Sequence, residues 1–359
     1  MLEHMGGSEF TSRRDFSRKT LAAVTLGWPS RSGKAYGMPL LTDMGIASTS
    51  FMGARLRRGQ GAEREHTIEF LERCHSLGAS GIQTQIIGDP HRLRARAEQL
   101  GMWVEAMVSV RNSTPEQLEK AIVNAKEAGC TVARDGLLGG RRYETFASLQ
   151  DWKAWMAESL ARLKTAIPLF EKHKITLALE NHKDWTSEQF VNLFQTHSSE
   201  YFGACLDFGN NLSLLDDLMT TIEAAAPYIK ATHFKDMAVM PYADGFLLSE
   251  VPLGTGVLDL ARAVRVVQKA NPKVRFALEM ITRDPLKVPC LTDRYWATFP
   301  DRNGIYLART LRYVNQHKST RPLPRPEELS HAEHARLEED NIRQCFQYVQ
   351  GKAARNSAI

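Results

Sequence analysis

Ile175-Thr176-Leu177-Ala178-Leu179-Glu180 is a short, largely apolar run that stops on a carboxylate, and three later stretches repeat the pattern. Gly203-Ala204-Cys205-Leu206 leads into Asp207, Ile229-Lys230-Ala231-Thr232 into His233, and Arg275-Phe276-Ala277-Leu278 into Glu279. Runs of this length and composition read as buried strands. The four end residues are separated by 27, 26 and 46 positions. The first two intervals are each about one strand-helix unit, and the third is one unit plus a long connection.

Working outward, the same rhythm fills most of the chain. Strands are expected at Met44 to Thr49, Gly81 to Ile86, Trp103 to Val110, Cys130 to Arg134, Ile175 to Glu180, Gly203 to Asp207, Ile229 to Phe234 and Val274 to Met280. Between them lie helical patterns. Ile68, Leu71, Cys74 and Leu77 recur at three-residue spacing, and Met156, Leu160, Leu163 and Ile167 at four, three and four. Pro115 behind Ser113 and Thr114 marks a helix start. Eight such units match a (β/α)8 TIM barrel of roughly 250 residues. A doubly wound open sheet is the alternative, but no Gly-x-Gly-x-x-Gly follows the first strand and no P-loop pattern occurs. The barrel is expected over 38–317. Asp236 to Gly256, rich in Pro and Gly, and Ile281 to Pro300, with Pro285, Pro289, Tyr295 and Trp296, read as long connections after strands seven and eight, where active-site lids are commonly built. Residues 318–359 read as a proline-rich link and an extra C-terminal helix, a packing or homo-oligomer element.

Composition excludes several classes. The chain has 359 residues, 43% hydrophobic and 24% charged, the balance of a globular protein with a sizeable core. No stretch approaches the roughly 20 apolar residues of a membrane span. The five cysteines are odd in number and scattered, so neither a disulfide framework nor a Cys-x-x-Cys site is indicated. Of the net charge of +5, a surplus of three sits in residues 1–37. What remains is an ordinary surface without the basic stripe that nucleic-acid binders carry. Residues 1–10 read as a cloning remnant. In 11–37, Ser12-Arg13-Arg14-Asp15-Phe16 followed by the weakly apolar Leu21 to Trp28 resembles a twin-arginine export signal, with Ala35-Tyr36-Gly37 as a small-x-small cleavage site. It implies periplasmic delivery of a folded bacterial protein.

One polar residue closing a strand means little. Four in a row, Glu180, Asp207, His233 and Glu279, would meet on one rim of a barrel. Three carboxylates crowded there would repel one another without a positive partner. One divalent metal ion is therefore expected, and the oxygen-rich set suits Mn2+ foremost, with Mg2+, Co2+ and Zn2+ as alternatives.

At these residues the chain resembles the xylose-isomerase-like TIM-barrel superfamily, in particular its sugar phosphate isomerase/epimerase group, which includes ketose 3-epimerases. The carriers are Leu-Ala-Leu-Glu180-Asn181-His182, Cys-Leu-Asp207-Phe208-Gly209-Asn210, Thr-His233-Phe234-Lys235-Asp236, Pro252-Leu253-Gly254-Thr255-Gly256 and Phe-Ala-Leu-Glu279, and the resemblance covers roughly 40–317. It implies that Glu180, Asp207, His233 and Glu279 hold the metal and that the two glutamates flank the substrate as acid and base. Endonuclease IV relatives carry extra histidines, one shortly after the matching aspartate. Here that neighbourhood reads Phe208-Gly209-Asn210-Asn211, and DNA repair is not expected.

Around this set, His182 lies two positions past Glu180 and is a candidate general base or hydroxyl holder. Lys235, two past His233, shares its parity and is a candidate to polarise a substrate oxygen or to pair with Asp236. Arg283, Trp185 and Phe208 are candidate sugar contacts, the aromatics as apolar walls. The expected reaction is isomerisation or epimerisation of a keto-sugar by proton abstraction next to a carbonyl through an ene-diolate. Elimination of a β-oxygen substituent from a 3-keto-glycoside (a lyase or dehydratase) is the alternative, and a non-catalytic sugar-binding barrel a third.

Overall fold

The computed structural model describes residues 41–52 and 65–351. The Arg13-Arg14 segment and the first ten residues lie outside the described residues. Eight strands form one parallel sheet: β1 (Gly45–Ala47), β2 (Gly81–Thr84), β3 (Trp103–Met107), β4 (Val132–Asp135), β5 (Thr176–Glu180), β6 (Phe202–Asp207), β7 (Ile229–His233) and β10 (Ala277–Leu278), in the order β10-β1-β2-β3-β4-β5-β6-β7. The ring closes between β7 and β10. There Phe234 donates its amide to the Ala277 carbonyl at 2.8 Å, and Glu279 donates its amide to the Phe234 carbonyl at 2.9 Å. The chain is a (β/α)8 barrel.

Strand alternation sorts the side chains into two sets. Leu177, Leu179, Leu206 and Ile82 point outward into the apolar layer shared with helix residues such as Leu71, Ile122, Leu163, Phe170, Ile222 and Val264. Ala178, Cys205 and Ala231 form a separate small cluster inside the ring. Two residues further along the same strands, Glu180, Asp207 and His233 make the next interior layer. The outer helices begin where local chemistry dictates. Thr114 and Gln117 form a reciprocal capping box ahead of Pro115–Glu127, and Asp89 caps Pro90–Leu100, which ends on Gly101 at φ 64°. Gly81 and Gly45 are required by packing, because the Trp103 indole lies across both and a Cβ at either position would collide with it.

The connections after β7 and β10 are more ordered than their Pro and Gly content suggests. β8 (Asp236–Tyr242) and β9 (Gly245–Val251) form an antiparallel hairpin, and β11 (Leu286–Val288) pairs with β9 to complete a three-stranded sheet. Its base is fixed by Asp236. That buried carboxylate accepts the amides of Met237 and Leu258 on Oδ1 (2.9 and 3.1 Å) and of Gly254 and Gly256 on Oδ2 (3.0 and 2.9 Å). Helix His331–Val349 packs beside it: His334 and Asn341 bond the Thr282 carbonyl and hydroxyl at 2.7 and 2.9 Å, and the Leu253 amide faces Cys345 Sγ at 3.4 Å. Among the described residues, no helix is long and apolar enough to cross a membrane, and the five cysteines are free thiols, all buried.

Asp236 gathers four amides, of which that of Met237 is buried and those of Gly254, Gly256 and Leu258 are partly buried. Since a buried unsatisfied group costs about 1–3 kcal/mol, Asp236→Ala is expected to lower the unfolding free energy by about that much in urea denaturation. Asp236→Asn, which keeps one acceptor oxygen, should lose less. An alanine variant as stable as the parent would show that the hairpin is anchored elsewhere.

Candidate metal centre and active site

Glu180, Asp207, His233 and Glu279 end four consecutive strands of the ring, and each offers a ligand atom within 4.8 Å of the others. All four are buried. His233 Nδ1 lies 3.3 Å from Glu180 Oε1, 3.1 Å from Glu279 Oε1 and 4.0 Å from Asp207 Oδ2. The closing bond between Glu279 and Phe234 is what brings the fourth carboxylate beside the imidazole.

A surrounding layer aims these atoms inward. Gln83 donates from Nε2 to Glu105 Oε2 at 3.0 Å, which turns its Oε1 toward His233 Nε2 at 2.6 Å. Facing an acceptor, Nε2 carries the ring proton, so the Nδ1 lone pair points at two carboxylates. Asp207 Oδ1 is occupied by the amides of Gly209 and Asn210 at 2.9 and 2.8 Å, leaving Oδ2 for the centre. Asn210 Nδ2 reaches Glu180 Oε1 at 3.2 Å. Asn181 braces β6 by accepting the Asp207 amide at 2.7 Å and donating to its carbonyl at 2.8 Å.

Two cations moderate the charge. Lys235 Nζ pairs with Asp207 Oδ2 at 2.7 Å and with Glu279, and Arg134 pairs with Glu180. Burial alone would raise the Glu279 carboxyl, but His233 when protonated and Lys235 beside it outweigh burial and hold it well below the usual range. Burial lowers the His233 imidazole, and in the neutral form a ligand needs, Lys235 is the cation left opposite Glu279. His233 Nδ1 is buried without a donor, and Asp207 Oδ2 and Glu180 Oε2 are met by Lys235 and Arg134 as ion pairs without a hydrogen bond. Three carboxylates and an imidazole converging from neighbouring strands are the donor set a divalent cation takes, so the residues present fit the expected ion.

His182 stands at the rim with Nδ1 2.6 Å from the Leu138 carbonyl. That contact places the ring proton on Nδ1 and leaves the Nε2 lone pair free. Burial, Lys183 and Arg134 push its pKa well down, so the ring is neutral. Lys235 sits inside the centre and not on Asp236, whose carboxylate is taken by backbone amides. Arg283 is no solvated surface residue. It clasps Glu250 of β9 through Nε at 3.2 Å and Nη2, within electrostatic reach of Glu279 and Asp207. Trp185 and Phe208 are not brought into the site. Trp185 packs on Trp152 and Trp155, with ring centroids 5.4 and 5.5 Å apart, and Phe208 packs edge-on to Phe234 at 5.2 Å. Parity is the reason for Phe208: a residue next to inward-facing Asp207 must face the outer layer. Sequence reasoning missed Gln83, Glu105, Arg134 and Asn210. Polar residues inside the otherwise apolar Gly81–Thr84, Trp103–Met107 and Val132–Asp135 were the available signal.

Solved structures share this architecture. A xylose isomerase-like TIM barrel protein from Mycobacterium smegmatis in complex with magnesium superposes with TM-score 0.53 at 17% identity, covering 75% of this chain and 97% of its own. The IOLI protein with a binding zinc atom gives 0.55 at 13%, covering 88% and 100%. D-psicose 3-epimerase in the presence of D-fructose gives 0.53 at 12%, covering 86% and 99%. At these identities the likeness is one of fold. No curated protein matches the chain by sequence. The model of the xylose isomerase-like TIM barrel family matches residues 71–297, well over half of the chain, and the protein belongs to that family.

Proposed function

We propose that the protein is a divalent-metal-dependent isomerase or epimerase of a keto-sugar, with Glu180 and Glu279 as the acid-base pair. The observation that carries this reading is the convergence of two glutamates, an aspartate and a neutral imidazole at one buried point. Glu180, Asp207, His233 and Glu279 would hold the ion. When bound, it supplies Lewis-acid stabilisation of the charge that develops on oxygen as a proton leaves the adjacent carbon.

The chain's own groups do the rest. Glu279, ionised and buried, is suited to accept the carbon-bound proton, and Glu180, approaching from β5, to deliver one to the opposite face or to the neighbouring carbon. The pair ends a turnover with its protonation states exchanged and is reset through solvent or by the reverse reaction. His182 Nε2, unprotonated, is available to a substrate hydroxyl. Lys235 is placed to hold a substrate oxygen. A substrate with a leaving group β to the carbonyl would instead eliminate it from the same deprotonated state, and product analysis separates the two outcomes.

Chelator-treated protein is expected to gain thermal stability on addition of Mn2+, Mg2+, Co2+ or Zn2+, by about 2.7 kcal/mol at a hundredfold excess over Kd. Asp207→Ala and His233→Ala should abolish that gain. A melting temperature indifferent to every one of these ions would refute the metal centre.

Glu180→Gln and Glu279→Gln keep an oxygen and remove the titratable carboxyl. Each is expected to lower kcat by about 10²- to 10⁴-fold while weakening ligand binding far less, with metal occupancy measured in each variant. Wild type should place solvent deuterium on the carbon next to the carbonyl. Metal-loaded Gln variants that exchange at the parent rate would remove the glutamates from the chemistry and leave His182 as the base to test.

We place the enzyme in the periplasm on the reading of Arg13-Arg14. Changing both to Lys is expected to retain the chain in the cytoplasm, and undiminished export would overturn that assignment.

A further inference from the structure

Every cationic side chain at the centre has a carboxylate partner except one. Lys235 is held by Asp207 and Glu279, Arg134 by Glu180, and Arg283 by Glu250. Lys183 is 3% exposed and makes neither an ion pair nor a side-chain hydrogen bond among the described residues. It lies in the loop that leaves β5, three residues past Glu180. Its amine sits within electrostatic reach of Lys235, Arg283, Asp207 and Glu250.

The backbone there is unusual. Lys183 has φ 60°, the left-handed region that favours glycine. Its surroundings hold it so. The Arg142 amide donates to its carbonyl at 3.0 Å, and Asp184 Oδ1 accepts the amides of His182 and Trp185 at 3.1 and 2.8 Å. A lysine where glycine is easiest costs backbone strain, and no protein carboxylate meets its amine to offset that. A ligand that brings negative charge would give the amine a partner.

Charge balance points the same way. Arg134, Lys235 and Arg283 are paired with Glu180, Asp207, Glu279 and Glu250, and Lys183 alone among these cations has no carboxylate against it. A single unpaired amine matches the one charge of a carboxylate more closely than the two of a phosphate dianion.

We propose that Lys183 recognises a carboxylate on the substrate, which makes the substrate of this site a keto-sugar acid; the proposal rests on the reading of the centre as a keto-sugar isomerase or epimerase. Burial, with Lys235 and Arg283 nearby, lowers the amine to about 7. An arriving carboxylate would restore its proton and its charge.

The test compares sugars that differ only in that group. D-Fructose and D-fructuronate, and likewise D-tagatose and D-tagaturonate, are titrated calorimetrically into Mn2+-loaded wild type, Lys183→Met and Lys183→Gly. Wild type is expected to bind the acid of at least one pair about ten- to a hundredfold more tightly than its neutral counterpart, the worth of one buried charged hydrogen bond. Both variants should lose that ratio while keeping their affinity for the neutral sugar. Lys183→Gly relieves the left-handed backbone, so its melting temperature should equal or exceed that of wild type and exclude unfolding as the cause. Equal affinity for acid and neutral sugar, no binding of either acid, tighter binding of D-fructose 6-phosphate than of D-fructuronate, or an acid preference that survives in Lys183→Met overturns the proposal. An acid preference that depends on Lys183, without solvent deuterium in any of the sugars, supports the carboxylate assignment and refutes the catalytic reading.

Discussion

Three carboxylates share a buried layer with one imidazole, and the rest of the site is arranged around their mutual repulsion. Like charges within a few ångströms in a dry interior would ordinarily neutralise by taking up protons. Here Lys235, just past β7, and Arg134 of β4 place a cation beside each carboxylate. Glu279 shows the balance most directly, since its neighbours overcome a desolvation that would otherwise protonate it. The two side chains do not saturate the cluster. His233 Nδ1 still faces carboxylate oxygens with no donor or cation of its own, and a divalent ion would meet it together with those oxygens.

The barrel makes such crowding tolerable by being rigid. The layer below the ligands is built from Ala178, Cys205 and Ala231, small side chains that let the strands approach and leave the functional layer no room to collapse. Strand closure through Phe234 and Ala277 fixes the height of Glu279 relative to His233. Gln83 and Glu105 fix the imidazole from the opposite wall. Burial pushes the Glu105 carboxyl up to about 7, so this outer partner of the imidazole titrates well above an ordinary glutamate while Glu279 remains ionised.

Much of this was legible in the sequence because both periodicities are strong. All eight barrel strands, the start of Pro115–Glu127 and the convergence of the four strand-end side chains follow from apolar runs and their spacing. The hairpin of β8 and β9 was read as an irregular connection, because Pro241, Pro252 and the glycines weigh against strands. Yet Ala243-Asp244 before Gly245 is a two-residue turn between alternating apolar residues, and Pro241 sits near the hairpin's tip. Arg134, Gln83 and Glu105 were harder. Whether a polar residue inside a strand faces the barrel axis depends on pairing with its neighbours, a long-range property that spacing alone does not carry. Trp185 and Phe208 show the opposite failure, since aromatic character suggested a sugar wall where the folded chain uses those rings for packing.

Sealing is the property that joins the two sheets. Glu180, Asp207, His233 and Lys235 are each 1% exposed or less, so their charges answer to one another and not to solvent. Three-stranded pairing through β11 makes the hairpin a unit, and Asp236 ties its base to the turn at Gly254 and Gly256. The Arg283–Glu250 pair joins β9 to the segment that follows Glu279, so the small sheet is tied to the barrel beside the place where the ring closes. Buried there, the charges of the centre act on one another in a medium of low dielectric. The pair at the rim thus fixes the small sheet against the centre, while the barrel strands, held by their own hydrogen bonds, keep the geometry of the four converging side chains.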